Sequence, residues 1–134
     1  MASVKGVNIT ALDDGTGKVS KLEKGKVRVF VDTYEASSLA SGSDITIARL
    51  PQNSAVIDAA VYHDALGGSS TLILGDASDD NRYITAGSTS SAGVLRMNAV
   101  DGCGYENTAE TDLILTTGGA TISGTIKTVI KYTV

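Results

Sequence analysis

Three places in the chain carry side chains capable of chemistry: His63 beside Asp64, Cys103 between Gly102 and Gly104, and the acidic run of Asp76, Asp79 and Asp80. A His-Asp pair can move protons, but turnover also needs a nucleophile and an oxyanion site. His63 is the single histidine of the sequence, and one His at a strand end is expected to be a hydrogen-bonded structural residue. Cys103 is single too, and with no histidine near it to activate the thiol it reads as structural or incidental. The acidic run could offer Ca2+ several oxygens from one flexible turn. It lacks the glycine and closing Glu of an EF-hand loop, and Asp, Asn and Ser populate turns for backbone reasons alone, so a solvated turn is expected. Asn8-Ile9-Thr10 fits the N-glycosylation pattern, which has meaning only in a secreted eukaryotic chain. No phosphate loop, paired zinc ligands or nucleophile elbow is present in the sequence. The expectation is a protein that is not an enzyme, with no catalytic residue, no metal ligand and no cofactor.

The elements that would position these groups are strands. From Lys26 the pattern has period two, with Val27, Val29 and Val31 on one face and Arg28, Phe30, Asp32 and Tyr34 on the other. A loop is expected over residues 37–43, a strand over 45–50 stopped by Pro51, and a third strand over 55–63 with Ile57, Ala59 and Val61 opposite Val56, Asp58, Ala60 and Tyr62. Leu72-Ile73-Leu74-Gly75 is wholly apolar, as for a strand buried on both faces. A turn cluster follows, then a short strand at Tyr83-Ile84. Residues 86–104, rich in Gly and Ser, predict a short helix or a long loop. Strands over 111–117 and 121–134 close the chain, with Gly118-Gly119 as a two-residue hairpin signal; Ile126, Thr128, Ile130, Tyr132 and Val134 share one face of the last strand, which is expected to be central or covered.

Seven or eight short strands separated by turn signals predict an all-β fold: a single β-sandwich, jelly-roll-like, over residues 26–134. Residues 1–25 lack sustained periodicity. Val4, Val7, Ile9 and Leu12 are spaced by polar residues before Asp13-Asp14-Gly15 breaks the run, which predicts an extended N-terminal arm. Such an arm either adds an edge strand to its own domain or lies on a neighbour by strand addition.

Composition narrows the function. At 134 residues one domain is expected, burying about two-thirds of its unfolded surface without help from disulfides or metal. Five Tyr, one Phe and no Trp leave Val, Ile, Leu and Ala to build the core, which favours flat layers over deep ligand pockets. Net charge is −4 and the eleven Lys and Arg are scattered except around Lys18 to Arg28, so nucleic-acid binding is not expected. No apolar stretch approaches a membrane span, and the first residues carry no apolar signal region.

The stretch Val27-Arg28-Val29-Phe30-Val31-Asp32-Thr33-Tyr34-Glu35-Ala36 resembles small virion proteins encoded beside the capsid genes of tailed phages, including marine and cyanobacterial ones. So do Ala48-Arg49-Leu50-Pro51, Tyr62-His63-Asp64-Ala65-Leu66-Gly67, Thr71-Leu72-Ile73-Leu74-Gly75-Asp76 and Arg82-Tyr83-Ile84, in the same order, over residues 26 to 134. The resemblance implies a capsid decoration or cement protein on the outer surface of the virion. Its partners would be the major capsid protein and copies of itself, three being the favoured number. On that reading Val4, Val7, Ile9 and Leu12 of the arm form the capsid or oligomer interface. The alternative is a receptor- or glycan-binding knob of a phage head or tail fibre, which uses the same folds. Sugars usually stack on exposed aromatics, and with no Trp only Tyr34, Tyr62, Tyr83 and Tyr105 could serve.

Overall fold

Alternation of β-branched with polar residues turns seven segments of the described chain into strands. The computed structural model describes residues 26–134 together with Val4 and Gly15. Its strands are β1 (Val27–Leu39), β2 (Asp44–Leu50), β3 (Ala55–His63), β4 (Thr71–Gly75), β5 (Gly93–Arg96), β6 (Thr111–Gly118) and β7 (Ile122–Thr133). They form two antiparallel sheets, one ordered β1-β7-β3-β5 and the other β2-β6-β4. Successive strands alternate between the sheets, so the chain weaves a β-sandwich. A jelly roll divides eight strands between two sheets in this manner. Here the eighth, beside β4, is reduced to the isolated bridges Leu74↔Ile84 and Thr71↔Ser88.

The core lies between the sheets. Phe30 and Tyr34 of β1 pack against it, and Ile126, Thr128, Ile130 and Tyr132 of β7 are buried in it. From the opposite sheet come Ile45, Ile47, Leu72, Leu74, Leu113 and Leu115. β7 lies between β1 and β3, the central position expected for the last strand. Val134, expected on its buried face, instead lies beyond the strand end and is exposed.

Five local expectations are corrected. Residues 37–39 continue β1 rather than opening a loop, with a register irregularity between Ala36 and Leu39. In β3 a register shift between Val56 and Asp58 inserts Ile57 as a bulge residue, so Val56 joins Ala59 and Val61 on the core side and Ile57 does not. β4 is not buried on both faces: Leu72 and Leu74 are fully buried while Thr71 and Ile73 are half-buried, because only the inner face of its sheet packs on the core. Residues 86–104 contain neither a helix nor an unbroken loop but β5, paired with the end of β3. Gly118-Gly119 does not make a hairpin, since β6 and β7 lie in different sheets. Gly119 takes φ +79 where the chain crosses between them, and a Cβ there would run into the Ser69 carbonyl oxygen.

Candidate interaction surface

His63, Asp64 and Asp76 are engaged in holding the fold. His63 ends β3, buried, with Nδ1 2.9 Å from the Asp64 backbone oxygen. A carbonyl only accepts, so Nδ1 carries the proton. The Asp64 carboxylate accepts the Thr125 N–H at 3.0 Å, and the side-chain pair needed for proton relay is not formed. Cys103 is exposed, its Sγ 3.9 Å from the Ile57 carbonyl. Ile57 and His63 are six residues apart on β3, about 20 Å at the rise of a strand, which keeps thiol and imidazole from acting together.

Asp76 is not the solvated turn residue expected from sequence. It is 5 % exposed, and its Oδ1 accepts the Ser78 and Asp79 N–H groups, each at 3.0 Å, and the Ser78 hydroxyl at 2.8 Å. Its Oδ2 accepts Arg82 Nε at 2.7 Å. Burial pushes this carboxyl up, but Arg82, Ser78 and the Asp79 N–H together outweigh it and hold it below the usual carboxylate range. With its lone pairs so occupied, Asp76 has little left to offer a cation, and the neighbouring Asp79 and Asp80 are exposed. Among the described residues no cluster of three His, Cys, Asp or Glu could hold a metal ion.

An open groove of about 700 Å3 is lined by Arg49 of β2, by Asp112 and Ile114 of β6, and by Tyr105, Asn107 and Ser78 of the loops. Arg49 and Asp112 face each other across β2 and β6 and close its wall with a two-point ion pair at 2.6 and 3.0 Å. Tyr105 is the aromatic of this groove, and one face of its ring is taken by the Arg82 guanidinium, 3.8 Å from the centroid.

The feature with an unmet physical need is the outer face of the first sheet. Register places Val31, Val129, Ala60 and Arg96 in one row across the four strands, and Thr33, Lys127, Tyr62 and Val94 in the next. Val27, Val29 and Val31 are 55, 54 and 53 % exposed, and Tyr62 and Val94 are more than 40 % exposed. Scattered apolar residues on a surface are ordinary; a stripe of three valines continuing onto Val129 is the composition of an interaction surface. Charged residues stand within the same rows: Lys131 and Asp58 beside Val29, Lys127 between Thr33 and Tyr62, and Arg96 at the end of the Val31 row. Sequence reasoning found the two faces of β1 but did not assign which one is outward. The available signal was size: Phe30 and Tyr34 fill the gap between sheets, and β-branched Val takes the pleated outer side.

Of the expected interface residues, Val7, Ile9 and Leu12 lie outside the described residues, as does the arm apart from Val4 and Gly15; Val4 is exposed at 88 %.

No protein-family model matches the chain, and no curated protein matches it. Solved structures do share its fold. A chain in the capsid asymmetric unit of cyanophage Pam1 aligns at 20 % identity and TM-score 0.64, covering 82 % of this chain and 86 % of that one. A chain of the Ralstonia phage GP4 capsid aligns at 20 % identity and TM-score 0.67, covering 81 % and 84 %. A chain of the acid-stable capsid of Helicobacter pylori bacteriophage KHP30 aligns at 9 % identity and TM-score 0.60, covering 81 % and 87 %. At such identities the likeness is one of fold.

Proposed function

We propose that the chain is a structural protein of a phage virion that decorates and cements the capsid, binding the major capsid protein and copies of itself on the outer surface. The observation that carries this is the sandwich itself: over four-fifths of its length it is similar to chains in three phage capsid structures. The apolar outer face of the first sheet supports the same reading, because a protein that works by adhesion needs such a face and an isolated domain does not.

In this mechanism the sandwich is a rigid platform. The arm, residues 1–25 with Val4, Val7, Ile9 and Leu12, lays apolar side chains and backbone along the capsid surface or an adjacent copy. Each contact is weak alone. Grouping copies, with three the favoured number, makes the later contacts intramolecular and raises avidity by about a hundredfold or more.

Deleting residues 2–24 and measuring co-sedimentation with expanded cognate capsids tests the proposal. The expected result is loss of binding with an unchanged far-UV spectrum and melting temperature; full capsid binding by the truncated protein overturns the role of the arm. Cryo-electron microscopy of labelled particles tests the wider reading. Label at lattice positions on the shell supports decoration, and label confined to tail appendages supports the receptor-binding alternative, to which Tyr105 in the groove would contribute.

A further inference from the structure

The four sheet edges among the described residues are not alike. β5 offers four residues. β4 offers five and is flanked by the bridges at Ile84 and Ser88. β2 is interrupted by a register shift between Thr46 and Ala48. β1 alone is long and regular: it pairs with β7 without interruption from Val27 to Ala36, and no described strand lies on its other side. Natural edges are shortened, bulged, interrupted by proline or covered, because a free row of N–H and C=O groups pairs with whatever strand it meets. Among the described residues nothing shortens, bulges or covers the Val27 to Ala36 edge and no proline interrupts it; the charges it carries, Arg28, Asp32 and Glu35, are of both signs.

Its sequence is also complementary to itself. Reading outward from Phe30 in both directions gives Val29 against Val31, Arg28 against Asp32, and Val27 against Thr33. An antiparallel pair places facing residues at equal distances from its centre. Two copies of β1 related by a two-fold axis through Phe30 therefore set Arg28 of each opposite Asp32 of the other, twice, with valine facing valine between them. Among the described residues the ion pairs are Arg49–Asp112 and Arg82–Asp76; Arg28 is exposed without one. Asp32 is exposed as well, its Oδ1 taking only the adjacent Thr33 N–H at 2.8 Å.

We infer that the free edge of β1 pairs with β1 of a second copy of this chain, antiparallel about a two-fold axis through Phe30, joining the two four-stranded sheets into one of eight. The side chains gain on both faces. On the outer face Val29 and Val31 of each copy meet, and the stripe they form with Val129 becomes continuous across the axis. On the inner face the half-buried Phe30 rings of the two copies become neighbours, a cross-strand aromatic pair. Opposite charges facing one another stabilise such a pair and like charges in their place disfavour it, so Arg28 and Asp32 fix the register against a slip by two residues. The contact is two-fold and made by the sandwich alone. It is separate from the arm and does not depend on the capsid reading, and where copies are also grouped in threes it would link one group to the next.

Charge reversal on the full-length protein tests this, with mass read by light scattering after size-exclusion chromatography across a concentration series. The wild type is expected to double its mass as concentration rises. Arg28→Asp and Asp32→Arg, each of which sets like charges face to face twice, are expected to raise the dissociation constant about tenfold or more. The double variant, carrying both reversals, restores opposite charges in the same register and is expected to regain the wild-type mass. A second measurement does not rely on charge: in a Cys103→Ser background, a mixture of Val29→Cys and Val31→Cys proteins is expected to form a covalent dimer on mild oxidation, and Val29→Cys alone much less. A wild type that keeps one mass throughout, a double variant that stays with the singles, or equal crosslinking by Val29→Cys alone overturns the pairing, leaving the edge to the arm or a capsid segment.

Discussion

Arg82 donates its Nε to Asp76 Oδ2 at 2.7 Å, with side-chain exposures of only 14 % and 3 %. The same guanidinium covers Tyr105 at 3.8 Å and reaches the Ser78 hydroxyl at 3.0 Å. The ion pair closes the turn after β4, and the stacking of the same guanidinium on Tyr105 ties that turn to the loop before β6. Removing one partner of a buried pair strands the other, which costs about 3–5 kcal/mol. Asp76→Ala is therefore expected to lower unfolding free energy by about that amount in urea titrations. Arg49→Ala, which breaks the exposed Arg49–Asp112 pair, should change stability far less.

The ionisation of this region predicts losses at both ends of the pH scale. Asp76 is held below the usual carboxylate range, so the unfolded chain binds the proton more readily. Its contribution is present above about pH 4 and is lost as pH falls toward its folded value. Tyr83 behaves oppositely: burial pushes its phenol from near 10 up to about 12. Its contribution is present below pH 10 and disappears as pH rises toward about 12. Tyr83→Phe should flatten the alkaline limb of the stability profile and leave the acid limb unchanged.

Asn107 fastens the loop before β6 to the start of β3. Its Oδ1 accepts the Ser54 N–H at 2.6 Å and its Nδ2 donates to the Pro51 carbonyl at 3.0 Å. The residue is buried at 7 % exposure, so its removal leaves those backbone groups without these partners. Asn107→Ala should cost about 2–3 kcal/mol by thermal or chemical unfolding.

What could be read from sequence follows from the range of the interactions concerned. The strand content and the inward set Ile126, Thr128, Ile130 and Tyr132 rest on a period-two pattern contained in each strand. The bulge at Ile57 was hidden because one extra residue leaves the local pattern plausible and only the pairing with β7 reveals the shift. Gly118-Gly119 carries the composition of a hairpin; the alternation of strands between sheets overrides it. Asp76 looked like a turn residue and is one, since two backbone N–H groups bond it. That Arg82 would bury it depended on a contact with Tyr105, more than twenty residues away. The exposed valines needed knowledge of which face the second sheet covers.

Three glycines in different loops, Gly68 between β3 and β4, Gly42 between β1 and β2, and Gly119 between β6 and β7, give a graded test of backbone geometry by substitutions of one kind. Gly68 has an ordinary φ and open space around it, so Gly68→Ala should change stability by no more than about 0.5 kcal/mol. Gly42 also has open space but takes φ +84, and Gly42→Ala should cost about 1 kcal/mol from the left-handed backbone alone. Gly119 combines φ +79 with the Ser69 carbonyl where its Cβ would stand. Gly119→Ala must therefore displace the loop that leads into β4 as well as strain its own backbone, and it should be the costliest of the three by a clear margin in urea unfolding. Equal losses at Gly42 and Gly119 would mean that the loop carrying Ser69 yields freely and that the close approach does not hold the two sheets in place.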